Sequence, residues 1–333
     1  MNRYWLDGVD LPNLKQPPVS ALVDFETPRD CVFSLNHMGV PAIDRHNWKV
    51  TIKGLVDRRI TFGLDDLQGM RQHDVCAFHE CAGHPFHPSV PVRRVANVVW
   101  RGVALREVLA LAGVKPQAAF MWSAGADGGN YHGTEIPAFV KDLPLEELSR
   151  DDILLALQLN GEELDDTRGG PVRLVVPGYY GTNSTKWLVS LDLQAARSPG
   201  YFTTVMYNDR KTLAGREVVT PVWRVAPHSL IVSPAHEAVI AVGAQTLIFG
   251  WAWGADPIEV VEVSVDGGAC WRTAQVEPRR QHSWQRFSCA WSPASSGTHR
   301  LQCRAIDIAG RGQPLAEARN CIFSIEVLVD QST

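Results

Sequence analysis

The chemistry-bearing residues of this chain crowd into HECAGHPFHP, His79 to Pro88, which holds one thiol, three histidines and two prolines. Gly83, Pro85 and Pro88 rule out a regular helix here and predict a shaped loop. Loops carry function more often than packing, and thiols and imidazoles are the side chains that do it. A cysteine at an arbitrary position is most often a small buried hydrophobe. Three active roles compete with that one. Cys81 could be a nucleophile with His79 or His84 as its base. It could be a zinc ligand, although no regular four-ligand spacing is visible. It could be the single thiolate ligand of a larger cofactor whose other ligands are not protein groups.

Further candidates bear on that choice. Asn36 and His37 precede Gly39 and Pro41 in a turn-rich loop. Asp127 follows a strand-like run from Phe120 and sits in a glycine-rich turn, Gly125 to Gly129. GPVRLVVPGYYGTNSTKWLVSLDL, Gly170 to Leu193, places Arg173, Ser184 and Lys186 at the ends of two strand-like runs around a Gly178 to Lys186 loop. A glycine-rich loop with a hydroxyl and a cation can hold a phosphate. Of the three roles for Cys81, only the cofactor ligand explains why anion-holding loops recur.

The elements that must position these groups are partly legible. Residues 1 to about 30 are rich in proline and polar groups and read as an arm draped on a core. WKVTIKGL, Trp48 to Leu55, alternates as a strand does. Thr61 to Met70 reads as a short helix opening. Trp100 to Gly113 reads as a helix, with Leu105, Val108, Leu109 and Ala112 at helical spacing and Gly113 as its stop. Asn160-Gly161 is a turn signal after an apolar run. From about Val219 short alternating runs separated by turn residues predict an all-β sandwich, with Asp266-Gly267 as a hairpin turn. Trp251, Trp253, Trp271, Trp284 and Trp291 read as its core.

Bulk properties narrow the partners. Of the 333 residues 45% are hydrophobic and 20% charged, ordinary for a folded domain pair, and the net charge of -4 argues against nucleic acid. No apolar run approaches the roughly 20 residues that span a bilayer, so no membrane segment is expected. The start, MNRYWLDGVDLP, has neither a basic n-region nor an apolar h-region. Seven scattered cysteines suit a reducing compartment. A cytoplasmic location is expected, or a periplasmic one if a leader was removed. No CxxCH motif occurs, so any haem is expected on another protein.

Over nearly its whole length the chain resembles the molybdenum oxidoreductases of the sulfite oxidase family. The resemblance rests on NHMGVP (Asn36 to Pro41), CAG (Cys81 to Gly83), the Trp100 to Leu109 segment, GPVRLVVPG (Gly170 to Gly178), STKW (Ser184 to Trp187) and VEVSVDGGACW (Val261 to Trp271). It implies an α+β fold: a mixed molybdopterin-binding domain over 1–205, then an immunoglobulin-like dimerisation sandwich over 215–333. It implies molybdopterin as cofactor, with Cys81 as the thiolate on molybdenum. Asn36, His37 and Asp127 would contact the pterin, Arg173 the phosphate or pterin, and Ser184 and Lys186 the phosphate. Tyr207 falls where the family has an active-site tyrosine. A homodimer, a small-molecule substrate and a separate electron acceptor such as a cytochrome c follow.

The departures concern substrate. Where the family places oxyanion-binding arginines, this chain has Leu35 and Phe86; an asparagine after Cys-Ala-Gly is His84, which joins Cys81 and Tyr207 as a catalytic candidate; a histidine is Arg168, which joins the cofactor-binding set. Loss of two guanidinium forks weakens a dianion site. His84, His87, Arg93, Arg94 or Arg101 are candidates to compensate. Three functions compete: oxidation of sulfite to sulfate; the same chemistry on a less charged sulfoxide or organic sulfur compound; and a cofactor-binding module without turnover.

Overall fold

The computed structural model describes residues 15–83, 93–213, 215–314 and 319–331. The segment 15–47 lies across the surface of the core with only short 3₁₀ turns. Strand β1 (Lys49–Gly54) pairs with β2 (Ile60–Gly63), which leads into helix α1 (Leu64–Gln68). The alternation of β1 buries Val50 and Ile52 completely. Strand β3 (His73–Glu80) pairs with β4 (Val95–Ala104), and β4 runs straight into helix α2 (Leu105–Ala112). Next come β5 (Phe120–Gly125), a small hairpin β6 (Gly129–Tyr131) and β7 (Thr134–Ile136), then β8 (Val140–Pro144). Strands β9 (Leu154–Leu159), β10 (Glu162–Glu163), β11 (Arg173–Val175) and β12 (Leu188–Gln194) complete this part. One sheet runs β2-β1-β12-β5-β8 and the other β10-β9-β4-β3, with β11 also paired to β9. The Asn160-Gly161 turn joins β9 to β10, and both residues have positive φ (50° and 79°), as such a turn requires.

Three boundaries differ from the sequence reading. Residues 60–63 are strand, and the helix opens only at Leu64. Residues 100–104 are strand because β4 is paired on both sides, to β3 and β9; every residue at helical spacing lies at 105 or later. In the HECAGHPFHP stretch, His79 and Glu80 are the last residues of β3, paired to Ala96 and Val95. The strand therefore runs two residues into this stretch before the turn at Cys81 to Gly83, and Pro85 and Pro88 lie outside the described residues.

Past a short helix α3 (Tyr201–Thr204), a hairpin of β13 (Asn208–Leu213) and β14 (Arg216–Pro221) leads to a β-sandwich. Its strands are β15 (His228–Ser233), β16 (Val239–Ala241), β17 (Thr246–Trp253), β18 (Ile258–Ser264), β19 (Arg272–Thr273), β20 (Gln275–Val276), β21 (Gln285–Trp291), β22 (Gly297–Asp307) and β23 (Phe323–Asp330). The sheets run β15-β17-β21-β20 and β16-β23-β22-β18-β19. Trp251, Trp253, Trp284 and Trp291 are buried in it; Trp271 is not, and lies instead under the Arg304 guanidinium at 4.2 Å. The apolar cluster of the sandwich continues without a break into Phe78, Ala82, Phe202 and Tyr207. Among the described residues no helix is long and apolar enough to cross a membrane.

Candidate active site

The site is built where β3 ends. The sandwich covers the free edge of β3: Phe78 donates to the His282 carbonyl at 2.9 Å, and His282 donates back to Cys76 at 3.0 Å. A covered edge cannot fray, so the position of Cys81, one residue on, is fixed. The Cys81 amide donates to the Arg94 carbonyl at 2.9 Å, and its sulfur accepts from the Gly83 amide at 3.3 Å. Burial pushes the thiol up in pKa, while the Arg94 charge and the Gly83 amide pull it down.

Cys81 borders a cavity. The N-terminal strap (Val32 to His37) forms one wall, and the cations Arg168, Arg173 and Lys186 another. Asn36, Asp127, Ser184 and Tyr207 complete the meeting of the site residues read from the sequence, so nine of the ten line one space. The tenth, His84, lies outside the described residues, as do Phe86 and His87.

The cationic wall is short of counter-charge. Arg173 is 3% exposed, sits 4.9 Å from the Trp100 ring and is pushed down to about 9, first by burial and then by Arg168. Lys186 is pushed down to about 7 by burial and by Arg173, opposed by Asp127. Its ammonium is steered by the Leu35 carbonyl at 3.0 Å and by Asn36 Oδ1. Burial raises Asp127 to about 6. Arg168 spends its fork on carbonyls of Phe33, Val32 and Arg29, each at 3.0 Å. Buried donors nevertheless remain without a protein acceptor: Asn36 Nδ2, Arg168 Nε and Arg173 Nε. Unmet donors on a buried cationic wall call for an anion rich in acceptors. The phosphate and ring heteroatoms of a molybdopterin meet that demand, and a thiolate on the same cavity suits molybdenum.

Of the other roles weighed for Cys81, the nucleophile paired with His79 lacks support in the geometry, and His84, its alternative base, lies outside the described residues. His79 turns to Arg173, 3.4 Å away, and is wedged between Phe33 and Trp100, with its pKa held well below the usual value by burial and the Arg173 charge. It makes no pair with Cys81. Among the described residues no three His, Cys, Asp or Glu side chains form a metal-holding group. Of the candidate compensating arginines, Arg101 pairs with Asp74 at the surface (2.8 Å), and Arg93 is buried over Phe323 at 4.2 Å. Arg94 does reach the Cys81 turn, at the Gly83 carbonyl. A residue missed by the sequence reading joins it: Arg319, from the sandwich, donates to the Ala82 carbonyl at 3.0 Å and to Asp209 at 2.9 Å.

Comparison with known proteins agrees with this geometry. Residues 37–202 match the model of the oxidoreductase molybdopterin-binding domain, and residues 220–327 that of the Mo-co oxidoreductase dimerisation domain. Mitochondrial sulfite oxidase of Mus musculus is 28% identical over 91% of this chain and 60% of its own length. Sulfite oxidase of Gallus gallus is 29% identical over 90% and 70%. Nitrate reductase of Hordeum vulgare is 28% identical over 96% and 41%, so this chain spans less than two thirds of some of these relatives. The crystal structure of the sulfane dehydrogenase SoxCD from Paracoccus pantotrophus superposes with a TM-score of 0.83 at 28% identity, covering 97% of this chain and 87% of that one.

Proposed function

This chain belongs to the molybdopterin-dependent oxidoreductases of the sulfite oxidase family, and we propose that it oxidises sulfite by two-electron oxygen-atom transfer. Sulfite and one water become sulfate, two protons and two electrons. The electrons leave singly to a separate acceptor such as a cytochrome c. Molybdenum bound by the pterin would supply the two-electron couple. Cys81 would be its protein ligand. Arg168, Arg173, Ser184 and Lys186 would hold the cofactor phosphate, and Asn36, His37 and Asp127 would hold the pterin. Tyr207 would face the reacting centre, and Arg319 and Arg94 would bring positive charge to the turn that carries Cys81. The observation that carries this reading is the convergence of nine side chains on one cationic cavity with unmet buried donors.

A second reading is favoured by Leu35, an apolar residue in the cavity lining. Under it the substrate is a less charged sulfur compound, and the relation to a sulfane dehydrogenase supports looking among reduced sulfur species. The dimerisation-domain match supports a homodimer through the sandwich, where Val239 and its strand partner Leu328 stand 68% and 45% exposed.

The test is protein whose molybdenum content has been measured, assayed for sulfite-dependent reduction of ferricyanide or a cytochrome c. Loaded protein that does not reduce either acceptor with sulfite overturns the sulfite reading. Turnover of a sulfoxide or thiol compound by the same sample establishes the second.

A further inference from the structure

Tyr207 is held in place from several sides. Its backbone is left-handed, φ 50°, which is costly for a tyrosine and persists only when its surroundings enforce it. The next residue enforces it: the buried Asn208 amide donates to the carbonyls of Thr203 and Met206, each at 2.8 Å. The Tyr207 carbonyl accepts from Val222 at 2.8 Å. The phenol oxygen then lies 2.5 Å from His37 Nε2.

His37 cannot turn away either. Its ring is walled by Tyr131, Phe139 and Phe202, with ring centres at 5.4, 5.4 and 4.9 Å. That burial pushes its pKa down to about 3, so the imidazole is neutral, and Tyr207 is held well above its ordinary pKa. A neutral phenol and a neutral imidazole share one proton in the contact. A phenol O–H is the stronger acid and an imidazole nitrogen the stronger base, so the favourable arrangement is O–H donating to N. Nearby cations are otherwise engaged: Lys186 is held by Leu35 and Asn36, and Lys141 donates to the Phe202 carbonyl at 3.0 Å.

We infer that His37 Nε2 accepts the hydrogen bond of the Tyr207 hydroxyl, so that Tyr207 faces the cavity as a hydrogen-bond acceptor and selects a substrate that carries a donor. This rests on the proposed reaction and narrows its substrate to a protonated or neutral sulfur species, such as hydrogen sulfite or a thiol compound, over a fully deprotonated dianion. His37 is a positioning residue. It acts by fixing which way the Tyr207 hydroxyl points.

The test has two arms. In protein labelled with ¹⁵N at histidine, with His37 assigned by the signals lost in His37→Gln, Nε2 gives the shift of an unprotonated ring nitrogen and Nδ1 carries the proton. A proton on Nε2 overturns the inference. This arm requires no turnover, so it stands apart from failure of the sulfite assay. The second arm compares two dianions of similar size as inhibitors of the molybdenum-loaded enzyme, at a pH where phosphate is HPO₄²⁻: hydrogenphosphate keeps one O–H and sulfate has none. Hydrogenphosphate binds about tenfold more tightly, the worth of one hydrogen bond to a buried acceptor. The preference collapses in His37→Phe, whose freed phenol can donate, and in Tyr207→Phe. It survives in His37→Gln, whose amide oxygen accepts the phenol proton. Equal inhibition of the wild-type enzyme by the two anions, or a preference unchanged in His37→Phe, overturns it.

Discussion

The Trp253 indole donates to the Glu80 carboxyl at 2.7 Å, so the residue immediately before Cys81 is gripped by the sandwich. Neither side chain sees solvent, at 1% and 0% exposed. With the His282 bridge on the edge of β3 and the Arg319 contact to Ala82, this makes the sandwich a supporting wall of the active site, whatever its part in assembly. Its other tryptophans add to the same joint: Trp251 donates to the Leu22 carbonyl at 2.6 Å, and Trp284 to that of Phe25 at 2.9 Å.

Glu80 gives this joint a pH signature. Burial lifts its pKa from 4.5 to about 8, so the folded protein keeps a proton there that the unfolded chain releases. The stability from this group is complete below pH 4.5 and is lost as pH rises through 8. Glu80→Gln keeps an acceptor for Trp253 and cannot ionise. Urea unfolding from pH 5 to 9 is expected to show a decline in the wild type that is shallower in Glu80→Gln. Trp253→Phe, which removes the indole donor from the carboxyl, is expected to cost about 1–3 kcal/mol at pH 7.

Removing the thiol separates cofactor from metal. The cationic wall that would hold the phosphate does not include Cys81, so Cys81→Ser is expected to keep pterin and fold while molybdenum per protein falls at least about tenfold, since a neutral hydroxyl replaces a soft thiolate. Pterin fluorescence and elemental analysis on the same sample check this. Loss of both together would mean that the metal, not the wall, secures the cofactor.

Much of this site was legible because its parts are short contiguous words. Asn36-His37, Cys81 and the loop with Ser184 and Lys186 each announce a turn that carries a polar group, and these residues line the cavity. The sandwich was legible from alternation. What could not be read are contacts between distant residues: Trp253 meets Glu80 across 173 positions, and Arg319 meets Ala82 across 237. No local spacing encodes such a pair. The tryptophan pattern predicted a buried cluster correctly for Trp251, Trp253 and Trp284, but it could not say whose carbonyl or carboxyl each N–H would reach. The strand-to-helix switch at Ala104 was hidden for a related reason, since pairing on both sides of β4 outweighs the helical preference of its last residues.

Arg168 is the latch of the strap that roofs the cavity. Its fork holds the 3₁₀ turn at Arg29 and the two residues Val32 and Phe33 that follow it, and its own carbonyl accepts from Arg173 at 3.2 Å. Arg168→Met removes the guanidinium donor from those carbonyls and is expected to cost about 2–4 kcal/mol. Trypsin should then cut at Arg29 many times faster in the variant than in the wild type. Equal cleavage would show that the strap is held by its other contacts.

Leu35 offers the sharpest probe of the substrate. Leu35 is among the residues that line the cavity, and its carbonyl is committed to Lys186 at 3.0 Å, so the backbone at this position is anchored whatever side chain it bears. Leu35→Arg would place a guanidinium fork where the chain now has an alkyl group. Arg168, Arg173 and Lys186 already lie along the same cavity, so a further cation raises repulsion there and should lower the stability of cofactor-free protein by about 1–2 kcal/mol. The same charge should tighten inhibition by sulfate about tenfold, because a charge-assisted fork to a dianion is gained. Inhibition by a neutral sulfoxide should not improve. Measured together, the two inhibition constants decide whether position 35 sets the charge of the molecule that this cavity accepts: a parallel change in both would mean that Leu35 contributes shape alone.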